Sequence, residues 1–137
     1  MAVDIYKNYP FGVLEDSYEG TAGAGIVEGM FVVLNANLKL DKAVGAAGEF
    51  AMVAMNDQPT KFLENGGKIQ VVKADATLCT DQFVVAAYVP HAKLEVSTVP
   101  AEAGKLRLQA AGPTVGRFLK FEEINGINML VFDLVRE

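Results

Sequence analysis

The sequence predicts an all-β protein, a small β-barrel or β-sandwich of about eight short strands with an extended N-terminal arm. Short segments alternate apolar and polar residues, and Gly, Pro or Asn-Gly turns separate them. No segment shows a convincing apolar face at helical spacing, which argues against a helical fold. A length of 137 residues favours one folded domain. These patterns leave barrel and sandwich open.

Short runs rich in β-branched and aromatic residues, bounded by turn-forming residues, are typical of strands. Before the C-terminal region, seven segments fit this description: 30–35, 37–41, 49–55, 68–74, 82–89, 93–97 and 105–109. In the last two, KLEVS and KLRLQ, apolar and charged residues alternate, as expected of half-buried strands.

The clearest local pattern is a C-terminal hairpin around Asn125-Gly126, because this pair accepts the positive φ of a type I′ turn. Ile124 then faces Ile127 across the turn. The last strand is apolar on both faces over part of its length, which predicts a central or covered strand. Four large side chains of the hairpin are candidates for the core or a subunit interface: Phe118, Phe121, Leu130 and Phe132.

Residues 1–24 differ from the β-rich domain expected over 25–137, because they lack sustained alternation and hold three of the four tyrosines. Tyrosine supplies amphipathic contact area at low entropic cost. We therefore predict an arm that docks on a partner, the alternative being a frayed terminus. The predicted partner-binding residues are Tyr6, Tyr9, Phe11 and Tyr18.

The chain is unusually apolar, with 51% hydrophobic and 21% charged residues and a mean hydropathy of +0.24. No apolar run approaches the roughly 18 residues of a membrane span, so we expect no membrane partner. The surplus fits a subunit interface and hence a homo-oligomer.

The net charge is −5, and the 12 basic residues are scattered along the chain. Direct binding of nucleic acid needs clustered Lys and Arg, so it is not expected. No secretion signal is recognisable at the N-terminus, and a single cysteine fits a reducing cytoplasm.

The stretch GTAGAGIVEGM raises the question of a phosphate-binding loop. A dinucleotide fingerprint is G-x-G-x-x-G between a strand and a helix, but after Gly23 and Gly25 the third glycine, Gly29, is one position late. The following MFVVLNANLKL is strand-like. We therefore interpret the glycines as slack between the arm and the domain.

Catalytic patterns are weak. Cys79 and His91 could form a dyad only if the fold brought them together, and the single histidine offers no metal cluster. Glu122 and Glu123 are adjacent on a strand, so their carboxylates point to opposite faces. We predict no catalytic residues, no cofactor and no metal site, and therefore a protein that is not an enzyme.

Three segments, GMFVVLN, LKLDKAVGAAGEFAMVAMND and GKLRLQAAGPTVGRFLKFEEINGINMLVFDLV, resemble the head decoration (cement) proteins of tailed bacteriophages in pattern and order. The resemblance covers roughly residues 29–135 and excludes the aromatic arm. It implies a protein made in the host cytoplasm that binds the exterior of an icosahedral head and stabilises it. The implied partners are the major capsid protein and further copies of the chain, as a dimer or trimer.

Two alternatives remain open from the residues. One is another phage structural subunit, of the tail tube or a head fibre, because such proteins share the β-rich composition. The other is a small oligomeric β-barrel enzyme with Cys79, His91 and carboxylates in one pocket.

Overall fold

A computed structural model describes residues 3–8, 14–45, 51–59, 67–74 and 76–135, and it confirms the all-β class. The strands of this part are β1 Val3–Asn8, β2 Leu14–Tyr18, β3 Phe31–Leu34, β4 Leu40–Lys42, β5 Met52–Ala54, β6 Ile69–Ala74, β7 Ala76–Thr80, β8 Lys93–Val96, β9 Leu106–Leu108, β10 Gly116–Ile124 and β11 Ile127–Leu134. A short 3-10 helix, Pro100–Glu102, precedes β9.

The strands form two antiparallel sheets. The six-stranded sheet has the order β1-β7-β11-β10-β8-β9, and the five-stranded sheet has the order β2-β6-β5-β3-β4. Neither order returns to its first strand, so both sheets are open and the described strands form no closed barrel. The structure therefore favours the sandwich over the barrel of the sequence-based prediction.

The main core lies between the two sheets, where inward-facing side chains of both sheets meet. Phe31 of β3 packs against Phe132 of β11 with 5.9 Å between ring centroids, and both are fully buried. Val53 and Val72 of the five-stranded sheet join the same cluster as Leu78 of the six-stranded sheet. This apolar layer holds the sheets face to face.

Strand β11 is central in the six-stranded sheet, as its doubly apolar sequence predicts. It pairs with β10 on one side and with β7 on the other. Leu130, Phe132 and Leu134 face the main core, whereas Met129 and Val131 are buried with Cys79 on the opposite face. The Ile124–Ile127 pairing beside the Asn125-Gly126 turn is also confirmed, with φ of 52° at Asn125.

Most predicted strands are present with shorter bounds. The strand predicted at 37–41 begins only at Leu40, because residues 36–38 turn and Leu38 has a φ of 58°. The strand predicted at 82–89 is wrong: only Phe83 makes an isolated bridge, to Leu106, and residues 84–89 have no regular structure. Strand β7 was missed, because ATLCT is short, lacks alternation and is buried at every position.

Two parts of the predicted arm, 3–8 and 14–18, form edge strands. β1 pairs with β7 at one edge of the six-stranded sheet, and β2 pairs with β6 at one edge of the five-stranded sheet. Strands β6 and β7 are consecutive in the chain, with one residue, Asp75, between them. β2 and β1 therefore add to the two sheets beside strands that are neighbours in sequence.

The glycine-rich segment 20–29 lies over the outer face of the five-stranded sheet. Its Ile26 is buried in a cluster with Val32, Leu40 and other residues of that face. Gln58 fixes the segment: its Oε1 accepts from the Ile26 amide at 3.3 Å, and its Nε2 donates to the Thr21 carbonyl at 2.8 Å. The segment is therefore held against the five-stranded sheet, and the interpretation of its glycines as slack between the arm and the domain is wrong.

Replacing Gln58 with alanine tests this role. We expect Gln58→Ala to lower the free energy of unfolding by about 1 kcal/mol, because it removes two hydrogen bonds that fasten the segment. Gln70→Ala on β6, where the side chain is exposed, is the matched control and should change stability by less than about 0.5 kcal/mol. Urea denaturation followed by circular dichroism measures both. Equal effects of the two changes would contradict the role of Gln58.

Candidate interaction surface

The segment 84–91, called the apolar loop here, presents apolar side chains to solvent. The side chain of Val85 is 90% exposed and that of Val89 is 61% exposed, with Ala86 and Ala87 exposed between them. Single exposed apolar residues are common, but four within five consecutive positions form a patch. Such a patch is typical of a surface that a partner covers.

Both ends of the apolar loop are fixed to the six-stranded sheet. At its start, Val84 donates its amide to the Leu106 carbonyl of β9 at 2.8 Å. At its end, His91 donates to the Phe118 carbonyl of β10 at 2.7 Å, in a turn where His91 has a φ of 68°. The loop therefore runs from β9 to β10, and backbone hydrogen bonds fix both of its ends to the sheet.

Four rings beneath the loop form an aromatic cluster of Phe83, Tyr88, Phe118 and Phe121. Tyr88 stacks on Phe118 at 5.3 Å between centroids, and Phe83 lies 5.6 Å from Phe121. Aromatic pairs at these distances contribute about 0.5–1.5 kcal/mol each beyond the area that they bury. Phe83 and Tyr88 thereby turn inward, which explains why the segment leaves the strand conformation.

The Tyr88 hydroxyl closes the loop by donating to the Val84 carbonyl. Burial raises the pKa of Tyr88 to about 12, because desolvation disfavours the phenolate, and the negative charge of Glu102 acts in the same direction. Tyr88 is therefore neutral and a hydrogen-bond donor at physiological pH. The loop is held from inside while its valines face outward.

The four hairpin candidates divide between core and surface. Phe118, Leu130 and Phe132 are buried in the main core, whereas Phe121 is 40% exposed beside the apolar loop. The core interpretation is correct for the first three, and Phe121 is the one that remains available to a partner.

The predicted arm residues are only partly described. Tyr6 lies in β1 at an irregularity of the pairing with β7, between Ile5 and Lys7. Tyr9 and Phe11 lie outside the described residues. Tyr18 is partly buried against the outer cluster of the five-stranded sheet, and its hydroxyl donates to Asp16 Oδ2 at 2.8 Å.

Asp16, beside Tyr18, shows a strongly lowered pKa of about 2. The Ser17 amide, the Tyr18 hydroxyl and the Lys73 ammonium at 3.1 Å all stabilise its charged form. These contacts follow from the pairing of β2 with β6. They give the lowered pKa of Asp16 a structural cause, so the shift does not by itself indicate a catalytic residue.

Cys79 and His91 occupy different surroundings. Cys79 is buried on β7 with Met129 and Val131, whereas His91 is exposed in the turn before β8. Within the described ranges, no group of three or more His, Cys, Asp or Glu side chains could hold a metal ion.

Among the described residues, Glu95 of β8 is the one buried carboxylate. Its Oε1 accepts from the Ala110 and Gly112 amides at 2.7 and 3.0 Å, and its Oε2 lies 2.7 Å from the Arg107 guanidinium. Burial alone would raise the pKa of Glu95, but these donors outweigh burial and lower it. Glu95 thus holds the 110–112 turn onto the sheet, which is a structural role.

A shallow groove of about 600 Å³ lies between residues 22–27 and 57–59. Its glycines include Gly23 and Gly25, both at positive φ, but Asp57 is its charged lining residue. A negative carboxylate opposes phosphate binding. The segment after the glycines is β3, a strand, so the helix N-terminus that binds pyrophosphate in the dinucleotide fold is not formed here.

The sequence matches no protein-family model and no curated protein. In the part of the chain that the structure describes, no helix is long and apolar enough to cross a membrane. The candidate site is therefore defined by its geometry alone, as the apolar loop with the aromatic cluster.

Removal of the Tyr88 hydroxyl tests the closure of the loop. We expect Tyr88→Phe to cost about 1 kcal/mol in the free energy of unfolding and to speed amide hydrogen exchange in residues 84–89. Tyr18→Phe removes an exposed hydroxyl bond and should leave exchange in the loop unchanged. Unaltered exchange in the Tyr88 variant would contradict a loop closed from inside.

Glu95 predicts a specific acid sensitivity. Because its pKa is lowered in the folded state, its stabilisation is complete above the ordinary value near 4.3 and is lost as the pH falls through the folded value. At pH 7 we expect Glu95→Gln to be less stable by about 1–3 kcal/mol. The difference from the wild type should shrink as the pH falls from 5 to 2.

Urea denaturation of both proteins across this pH range measures the effect. Glu123→Gln, at an exposed position of β10, is the control and should follow the wild type at every pH. A difference between wild type and Glu95→Gln that stays constant with pH would exclude a stabilising charge at Glu95.

Proposed function

We propose that the chain is a virion structural protein that binds the outer surface of an icosahedral phage capsid and stabilises it. The observation that carries this proposal is the apolar loop, whose exposed valines lie above the aromatic cluster. A preorganised apolar surface loses little conformational entropy on binding, so more of its contact energy contributes to affinity. The resemblance of residues 29–135 to head decoration proteins supports the major capsid protein as the proposed partner.

The two-sheet core supports this role because it supplies a rigid base for the loop. Val84 and His91 are bonded to β9 and β10, so force on the loop is transmitted directly to the sheet. Many copies on one head would each gain from contacts with neighbouring subunits, since every further contact is effectively intramolecular. Binding that favours the expanded lattice would stabilise that lattice by mass action.

The N-terminal arm is a second contact in this proposal. Tyr6, Tyr9, Phe11 and Tyr18 remain the residues proposed to touch the major capsid protein. Tyr18 already has partners within the chain. Tyr6, Tyr9 and Phe11 are therefore the main candidates for the contact between the arm and the capsid.

Co-sedimentation with empty expanded heads of the encoding phage tests the proposal. The wild type should bind saturably to the heads. Val85→Asp and Val89→Asp place a charge in the apolar contact and should each weaken binding about tenfold or more. Val99→Asp is the matched control, because Val99 is also exposed, at 43%, but lies outside the apolar loop.

Each outcome separates the alternatives. Loss of binding in both loop variants with normal binding of Val99→Asp supports the capsid role of the loop. Wild type that fails to sediment with heads but sediments with tails would instead indicate the tail-tube alternative. Normal binding by all three variants would contradict a capsid contact through the apolar loop and would leave the arm as the proposed contact.

A further inference from the structure

Strand β10 is longer than the strand beside it. It spans Gly116–Ile124, but β8 pairs with it only at Gly116 and Arg117. The last two hydrogen bonds on this side join Phe118 to Ala92 and to His91. On the other side of the hairpin, β7 pairs with β11 only from Leu130 onward. Residues 119–129 therefore project beyond the neighbouring strands of the described sheet.

The turn determines which backbone groups of the projecting half point outward. With a two-residue turn, Ile124 and Ile127 form a hydrogen-bonded pair, and so does every second pair along the ladder. Glu122 therefore bonds to Met129, whereas Phe121 and Glu123 direct their amides and carbonyls away from β11. No other strand of the described chain pairs with β10 at these two residues.

An exposed edge of this kind normally needs protection, because its backbone groups can pair with another chain. Here the side chain at its middle is Phe121, which is 40% exposed. Edge strands are usually protected by proline, by a bulge or by charged side chains, above all Lys. The charged side chains on this edge, Lys120 and Glu122, have opposite signs. The bulge of β10, between Phe118 and Lys120, lies at the start of the projecting part and leaves Phe121 and Glu123 in regular pairing with β11.

The charges around Phe121 are self-complementary. Lys120 and Glu122 lie on one face of β10, with Nζ and Oε1 3.7 Å apart. In an antiparallel pair of two identical strands centred on Phe121, Lys120 of one copy lies opposite Glu122 of the other, and the same contact occurs twice. Opposite charges in directly facing positions stabilise a strand pair, whereas like charges destabilise it.

We propose that two copies of the chain associate through antiparallel pairing of residues 120–122 of β10 across a twofold axis at Phe121. The two Phe121 rings meet on the face that carries the aromatic cluster, and the Lys120–Glu122 pairs fix the register on the opposite face. The pairing joins the six-stranded sheets of both copies into one continuous sheet. This association goes beyond capsid binding and does not depend on it.

Charge reversal tests the pairing in the isolated full chain. Sedimentation velocity over a range of concentrations should show a dimer for the wild type. Lys120→Glu and Glu122→Lys each place two like-charge contacts across the axis, so each should raise the dimer dissociation constant about tenfold or more. The double variant Lys120→Glu/Glu122→Lys restores both opposite-charge contacts and should restore the dimer.

Lys39→Glu is the matched control, because it makes the same charge change in an exposed turn outside β10, and it should dimerise like the wild type. Thermal unfolding should show that all variants are folded, since the intramolecular Lys120–Glu122 contact is exposed and contributes at most about a twofold to fivefold change in the folding equilibrium. A monomeric wild type, a dimer that survives both single reversals, or a double variant that stays monomeric would each overturn the proposal.

Discussion

The burial of strand β11 on both faces is the constraint on which the rest of the structure depends. Phe132 contacts Phe31 of the opposite sheet, while Val131 on the reverse face is buried with Cys79. Because β11 pairs with β10 along its whole length and with β7 from Leu130 to Leu134, it fixes the register of both neighbours. A one-residue slip would move Phe132 out of the core and Val131 into it, so the pattern of this single strand specifies the centre of the sheet.

A rigid sheet has consequences for the surface. β10 continues past the end of its neighbour because it follows β11 to the turn, and the apolar loop is anchored to β10 and β9 where β8 begins and ends. The hairpin and the loop therefore meet at Phe121, whose ring contacts both Phe83 and Tyr88. One edge of β10 lies beside the apolar loop, so partner binding and self-association would use adjacent surfaces that share Phe121.

Local patterns in the sequence predict the hairpin, the central position of β11 and the all-β class, because each depends on neighbouring residues or on strict alternation. The segment 82–89 misled the prediction, because its β-branched composition is typical of a strand while Tyr88 is drawn into contact with Phe118, a residue 30 positions away. Gln58 likewise carries no local signal, since its partners Thr21 and Ile26 lie in a distant segment. The sequence of the apolar loop is therefore typical of a strand, and only its tertiary contacts distinguish the loop from a strand.

Residue-resolved hydrogen exchange of the full chain, alone and bound to expanded heads, tests most directly whether a rigid sandwich presents the apolar loop as its binding surface. We expect the amides of residues 130–134 to exchange slowest in both states and residues 84–91 to gain protection on binding. Protection that appears only elsewhere on the chain, or fast exchange in β11 of the free protein, would contradict a rigid sandwich that binds through this loop.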